Sequence, residues 1–427
     1  MGYQPPAPRV AITGMGVRNA IASNVPEFLG GLKEGRRGFE VRGGGWAEDA
    51  QAVAALLLDP TWGGAFEGLP PRLSACAARA RKILRHAPLA SQIAGCVALE
   101  AYREARLEEV GDREAMGVVV AGNNIHQGYM LEGFRRYLER PEYVNPRHAF
   151  CFMDTHAVGA LSEIFELRGA GFTVGAASAS GNVALAQGWQ MVRSGQAAIC
   201  LCVGALADYT DFEWRALKNL GALSAGRADV PPEETCRPFD RRHSGFVYGQ
   251  GSGCVVLENA EHAARRGVAA RAELLGVSVA LDGNHAAEPN AEGEARAMRQ
   301  ALRLAGLEAS RVGYVNAHGT SSPAGDRAEC EAIHAVFRAG GRPWVNSTKA
   351  LVGHTLYAAG VVELIATVLQ LTHGFLHANP NLEAPVDERL KFVGRGAEAV
   401  GVEYALSNSF GFGGFNSSAV VGRSGAA

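Results

Sequence analysis

A chain of 427 residues is longer than one hydrophobic core usually serves, so two core-forming units or one large α/β assembly are expected, and a dimer suits the same length. With 47% hydrophobic and 20% charged residues and a formal net charge of -2, the composition is that of an ordinary globular protein. It offers no basic excess for a nucleic acid and no one-sign surface for a membrane, so neither kind of binder is expected.

In chain order, Arg9-Val-Ala-Ile-Thr-Gly-Met-Gly16 reads as a buried strand and Val25 to Lys33 as a short helix. Residues 35 to 70, rich in Gly and Pro, read mostly as loop. Helical spacing at 76–83 and 89–107 leads into the apolar strand Gly117-Val-Val-Val-Ala-Gly122, and the polar, aromatic stretch 125–150 has no clear period. A helix over 155–165 precedes the strand Phe172-Thr-Val174, and a second helix runs from Asn182 to Arg193. Strands at 197–205 and 253–258 close a first half. The second half repeats the theme, with a strand at 273–279, a helix at 293–305, strands at 312–318 and 344–347, a helix at 355–373 and strands near 402–407 and 417–421. Such alternation predicts parallel-rich α/β sheets covered by helices, and the two similar halves predict an internal duplication.

The eight cysteines (Cys76, Cys96, Cys151, Cys200, Cys202, Cys236, Cys254 and Cys330) form no CxxC pair and have no histidine at zinc-site spacing. They read as reduced, mostly buried thiols of a cytoplasmic protein, with no metal site expected. The segment Met1 to Arg9 lacks the apolar stretch of a signal peptide, and no run of about 18 apolar residues is expected later.

The chemistry converges on Phe172-Thr-Val-Gly-Ala-Ala-Ser178-Ala-Ser-Gly-Asn182, a strand that enters a tight turn of small residues and then a helix. A side chain at that turn lies near the unpaired N–H groups of a helix start, a seat suited to a nucleophile or an oxyanion hole. The bland alternative is a close-packed strand–helix junction. His318 stands at the C-terminal end of an apolar strand, where open α/β sheets place functional groups. His354 follows Ser347-Thr-Lys349-Ala-Leu-Val-Gly353 and opens the helix that carries Glu363. A lone histidine is usually structural, but two of them with a lysine in glycine-flanked turns at strand ends point to a site. The segment Ser407-Asn-Ser-Phe-Gly-Phe412-Gly-Gly-Phe415-Asn is a glycine-rich connection that could bring backbone donors to a ligand.

From Arg9 to about Gly422 the chain resembles a β-ketoacyl-[acyl-carrier-protein] synthase of the thiolase-like superfamily. The resemblance rests on the turn at 176–181, Arg237-Pro-Phe-Asp-Arg-Arg-His-Ser244-Gly-Phe-Val247, Val315-Asn-Ala-His-Gly-Thr320 and Asp326. It continues in Ser347-Thr-Lys349 with Gly353-His354, in Ala358-Ala-Gly-Val-Val-Glu363 and in Asn408-Ser-Phe-Gly-Phe-Gly-Gly414, all in the family's order. It implies a five-layered α-β-α-β-α duplication, with residues 1–265 carrying Ser178 and residues 266–427 carrying His318, Lys349 and His354. It also implies a homodimer that meets an acyl carrier protein and needs no cofactor beyond that protein's phosphopantetheine arm. In the family a cysteine at the turn takes the acyl chain, and two histidines assist decarboxylation of malonyl. Carried over by motif, these histidines are His318 and His354, with Lys349 organising them and Glu363 as its partner. The N–H groups of Ser178 and Phe412 would form the oxyanion hole, Phe412 would also be the gate, and Asp326 would support the site. Thr320 and Ser322 would meet the pantetheine arm.

The departure is Ser178, which stands where the family has its cysteine. A thiol with a pKa of about 8.5 becomes a thiolate at a helix start, whereas an alkanol stays protonated unless a base adjoins it. Acyl transfer onto residue 178 should therefore be crippled, while decarboxylation, which needs only a pocket for the thioester enolate, should survive. Ser244, Gln250 and Phe415 also depart from the pattern and point to an altered acyl pocket. The segments 154–163 and 171–182 are similar to a subgroup, the serine-bearing decarboxylating ketosynthases of polyketide β-branching (HMG-synthase) cassettes. Those enzymes make acetyl-carrier protein for a hydroxymethylglutaryl-synthase-like partner. Three rival readings stand beside this one: a serine acyltransferase or slow condensing enzyme, a non-catalytic chain-length-factor-like subunit, and an engineered serine in a natural condensing enzyme.

Overall fold

The computed structural model describes residues 8–42, 52–224, 226 and 229–425. Its first half contains β1 (Val10–Asn19), α1 (Val25–Glu34), β2 (Glu40–Arg42), β3 (Ala52–Ala55), α2 (Ser74–Leu84), α3 (Leu89–Glu104), β4 (Met116–Ala121), α4 (Gln127–Glu139) and α5 (His148–Cys151). There follow α6 (Thr155–Phe165), β5 (Gly171–Val174), α7 (Ser180–Arg193), β6 (Ile199–Gly204), α8 (Asp211–Asn219), β7 (Tyr248–Gly249), β8 (Gly251–Asn259) and α9 (Ala260–Arg265). The second half contains β9 (Ala272–Leu281), α10 (Ala291–Ala305), β10 (Tyr314–Asn316), α11 (Pro323–Phe337), β11 (Trp344–Asn346) and α12 (Lys349–Val352). It ends in α13 (Ala359–His373), β12 (Lys391–Phe392), β13 (Tyr404–Gly411) and β14 (Phe415–Arg423).

Eleven strands join in the order β12-β11-β10-β13-β14-β9-β1-β8-β6-β4-β5, and β2, β3 and β7 form a separate small sheet. The long sheet is symmetric about its β9–β1 seam, which is only two residue pairs wide (Ala11 with Glu273, Ile12 with Ala272). Outward from the seam, β1–β8 and β8–β6 are antiparallel and β6–β4 and β4–β5 parallel. On the other side β9–β14 and β14–β13 are antiparallel and β13–β10 and β10–β11 parallel. The duplication is therefore written in the topology. The expected parallel-rich sheets occur only at the flanks, because β8 and β14 each return beside their predecessors and make the centre antiparallel.

Helices α7 and α13 pack on each other and on strands of both halves, so they form a central layer. Helices α3 and α6 cover the outer face of the first half, and α10 with α11 the outer face of the second, which completes five layers. Leu356–His373, 18 residues with a mean hydropathy of 1.4, is long and apolar enough on average to cross a membrane, although Glu363, Thr367, Gln370 and Thr372 break it, so it is not an unbroken apolar run. That segment is 89% buried inside the protein, as a largely apolar helix must be when it lies between the two halves of the sheet.

The central layer also places the site. A Cβ on Gly181 would lie 2.8 Å from the Val361 nitrogen, and one on Gly360 2.6 Å from the Asn182 nitrogen, so the N-termini of α7 and α13 touch backbone to backbone. Only glycines permit that approach, and it brings the turn before α7 against the turn before α13. All eight cysteines are buried and unpaired.

Candidate active site

Ser178 occupies a single turn, Ala177–Ala179, between β5 and α7. Ala177 has a left-handed φ of 47°, an uncommon conformation for a residue with a Cβ. The Ser180 hydroxyl braces it, accepting from the Ala176 N–H at 2.8 Å and donating to the Ala177 carbonyl at 2.6 Å. Ser178 is thereby held at the start of the 14-residue α7, where helix N–H groups favour negative charge. The end of β13 runs close over this turn. A Cβ on Gly411 would lie 2.6 Å from the Ala176 carbonyl and 3.1 Å from the Ser178 nitrogen, so the glycine sets Phe412, the next residue, beside Ser178.

The Ser178 Oγ is 2.9 Å from His354 Nε2. Leu356, with φ of 52°, turns its N–H back to donate to His354 Nδ1 at 3.2 Å. Nδ1 is thus an acceptor, so the neutral ring carries its proton on Nε2 and donates it towards Ser178. Burial and the nearby Lys349 push His354 well below the usual imidazole range, which keeps it neutral.

His318 lies 5.4 Å from His354, ring to ring and nearly perpendicular. Its Nδ1 is 3.3 Å from Lys349 Nζ, so this ring too turns Nε2–H away from its anchor. Burial, Lys349 and His354 all depress its pKa well below the usual value. Lys349 in turn donates to Glu363 Oε1 on α13. Burial lifts Glu363 to about 7 against the pull of that lysine. The backbone N–H groups of His318 and Gly319 donate to the two oxygens of Glu329, at 2.8 and 2.7 Å, and burial lifts Glu329 to about 7.

Ser178, His318, His354, Thr320, Ser322 and Phe412 all line one cavity of about 500 Å³. Phe412 is 42% exposed, as a residue at the mouth should be. Ser322 also caps α11, its Oγ accepting from the Gly325 N–H at 3.5 Å. Lys349 and Glu363 stand behind the histidines. Asp326 is not in the cavity. Its carboxylate accepts from the Phe239 N–H, His243 Nδ1 and the Ser321 N–H at 2.7, 3.0 and 3.1 Å, tying two loops together.

The expectation that Ser244, Gln250 and Phe415 reshape the acyl pocket is not met, since none of them lines the cavity. Ser244 bonds to Ser224 at 2.7 Å, Gln250 accepts from the Leu57 N–H at 3.2 Å, and the Phe415 ring packs against Gly413. A pair of tyrosines that carry no local motif, and that sequence reasoning passed over, does line the cavity. Tyr209 stacks on Tyr248 at 5.5 Å and meets Tyr357 edge-on at 6.4 Å, and both Tyr209 and Tyr357 face the cavity. Glu329 and Glu294 were also passed over, although Glu329 lies one helical turn beyond Asp326 on the same helix.

Two family models match the chain, the β-ketoacyl synthase N-terminal domain over residues 7–263 and the β-ketoacyl synthase C-terminal domain over residues 271–383. The chain belongs to the β-ketoacyl synthase family. Among its relatives, the polyketide biosynthesis malonyl-ACP decarboxylase PksF of Bacillus subtilis (strain 168) is 36% identical, covering 97% of this chain and 96% of that protein. The 3-oxoacyl-[acyl-carrier-protein] synthase 2 of Vibrio harveyi is 32% identical, covering 96% and 98%. A solved ketosynthase, bound to a hexaketide and in complex with its type II polyketide synthase acyl-carrier protein, superposes with a TM-score of 0.84 at 25% identity, covering 98% of this chain and all of that one. The thiolase-like fold follows from the match in topology and superposition together.

Proposed function

We propose that this protein decarboxylates malonyl carried on an acyl carrier protein and releases acetyl-carrier protein, without an acyl-enzyme. The observation that carries the reading is the tautomer of His354. A histidine whose Nδ1 already accepts a backbone N–H has no lone pair free at Nε2 to take the Ser178 proton, so the serine lacks a base. The same geometry suits decarboxylation. Two neutral imidazoles, each with Nε2–H directed into a cavity, form hydrogen-bond donors for the thioester oxygen as it becomes an enolate oxygen. The bond between Cα and the malonyl carboxylate breaks, carbon dioxide leaves, and its electron pair passes into the thioester enolate. A proton at Cα then gives acetyl. The thioester is itself the electron sink, so the chemistry calls on no cofactor.

In this reading the pantetheine arm passes Thr320 and Ser322, and the N–H groups of Ser178 and Phe412 assist at the oxyanion. Tyr209 and Tyr357 restrict the cavity to a short acyl group. The similarity to a malonyl-ACP decarboxylase of polyketide biosynthesis supports the reaction, and the proposal includes a place in a β-branching cassette, supplying a hydroxymethylglutaryl-synthase-like enzyme, on the resemblance of segments 154–163 and 171–182. A cytoplasmic homodimer is part of the same proposal. Among the described residues the edge strand β5 is unpaired on one side, and Phe134 on α4, Phe150 on α5 and Phe172 on β5 are exposed as a second copy would cover them.

The test is incubation with malonyl-carrier protein and mass spectrometry of both proteins. The expected outcome is acetyl-carrier protein with unmodified enzyme. Untouched malonyl would favour a non-catalytic subunit, and an acylated enzyme would favour an acyltransferase or condensing enzyme.

A further inference from the structure

Glu294 lies in the first turn of α10, yet it faces inward. The residue is only 1% exposed and forms part of the wall of the cavity shared by Ser178, His318 and His354. Its Oε2 has no hydrogen-bond partner among the described residues. The charged groups around it are of its own sign: Glu329 and Asp326 on α11 and Asp282 just beyond β9. Arg296, on the same helix, is committed to Asp282 at 3.4 Å and to the Leu281 carbonyl at 2.9 Å. From the glycine loop comes Asn416, which is neutral, and from the 284–289 segment comes Glu288, again acidic. Burial and these carboxylates hold Glu294 well above the ordinary carboxyl range, so it is kept as the acid. Glu329 differs, because its oxygens already accept from His318, Gly319 and Asn408 and it does not line the cavity.

A carbanion destined for carbon–carbon bond formation must be kept away from acids. One destined to become acetyl needs one. We propose that Glu294 is the acid that protonates the enolate, directly or across one water of the cavity. This rests on the decarboxylase reading. As carbon dioxide leaves, the electron pair in the enolate takes the Glu294 carboxyl proton at Cα, the carbonyl of the thioester reforms, and the carboxylate regains a proton from water at the mouth.

The experiment compares wild type with Glu294→Gln on malonyl-carrier protein, following acetyl formation, exchange of 13C-labelled bicarbonate into unreacted malonyl, and the melting temperature. Loss of a positioned general acid should cut acetyl formation by about 10²-fold. Label exchange should persist, since the enolate still forms and now recaptures carbon dioxide, and the melting temperature should hold. Unchanged acetyl formation overturns the proposal, as does loss of acetyl formation and exchange together, which would mark a structural role. Should the glutamine variant unfold, Glu294→Asp, which withdraws the acid by one methylene, is read by the same ratio of exchange to product. A wild type that leaves malonyl untouched sinks the decarboxylase reading itself, a result separate from either outcome in the variant.

Discussion

The two histidines line the same cavity and are held by opposite means. His354 is oriented by a neutral backbone donor, the N–H of Leu356, and by a left-handed turn. His318 is oriented by a buried ion pair, Lys349 with Glu363, beneath a strand end pinned by a second buried carboxyl, Glu329. A backbone anchor is insulated from its surroundings and cannot be mutated away without changing the main chain. A charged anchor is adjustable, and it concentrates risk, because removing either partner strands the other in a buried position.

The largest expected effect breaks that asymmetry directly. Glu363→Ala leaves the Lys349 charge buried and unpaired, and the protein should lose about 3–5 kcal/mol of stability, the usual cost of orphaning one member of a buried pair. Urea unfolding of the variant measures it. The decarboxylation rate should fall as well, because Lys349 is then free to leave His318. A variant as stable as wild type would show that the ion pair is not what anchors this side.

Next in size is the direct test of equivalence. His318→Ala and His354→Ala should each cut decarboxylation by about 10²–10³-fold, the loss typical of one oxyanion donor. The comparison predicts that the two losses are alike in rate but differ in stability. His318→Ala removes the ring that accepts from Lys349, while His354→Ala removes an acceptor for a backbone N–H and a neutral partner of the Ser178 hydroxyl, and strands no charge. Initial rates with malonyl-carrier protein and melting curves on the same samples decide it. Two unaffected rates would move the chemistry elsewhere in the cavity.

Which parts of this were legible in the sequence follows from where each signal lives. The strand ends that carry His318 and Ser178, and the helix that carries Glu363, were readable because apolar runs break into glycine and polar residues there. Helix α4 was not, because its apolar residues Met130, Phe134, Tyr137 and Leu138 are interleaved with charged ones and reach no core, so that none of its side chains is buried. Helix α11 was missed although Ser322 and Pro323 mark its start, since the same residues were read as a turn carrying substrate contacts. Strands β2 and β3 hid in a glycine-rich stretch whose residues 43–51 lie outside the described ones. The tyrosine pair and Glu294 come from segments far apart in sequence, and no local pattern announces that 209, 294 and 357 share a wall with 178. Phe415 taught the reverse lesson. Its position in a motif suggested the cavity, but strand alternation on β14 carries it past the opening.

The smallest expected effect on decarboxylation is at Ser178 itself, and that smallness is the point. If the His354 proton is the working group, Ser178 is only its resting partner, and Ser178→Ala should alter the decarboxylation rate by no more than about tenfold, the worth of one neutral hydrogen bond. A larger loss would put the serine in the mechanism. Ser178→Cys sharpens the same comparison. A sulfur there would meet the N-terminus of α7 and the donating Nε2–H of His354, both of which favour a thiolate, so acylation by an acyl-carrier protein should become detectable at residue 178. Mass mapping is required, since the chain already holds eight cysteines, although all of them are buried. An acylated cysteine that still only decarboxylates would place the remaining block on elongation in the cavity wall, where Tyr209 and Tyr357 are the first residues to test. A cysteine that resists acylation would mean that the left-handed turn at Ala177 does not present residue 178 to the carrier's thioester, and the site would then have to be drawn around the histidines alone.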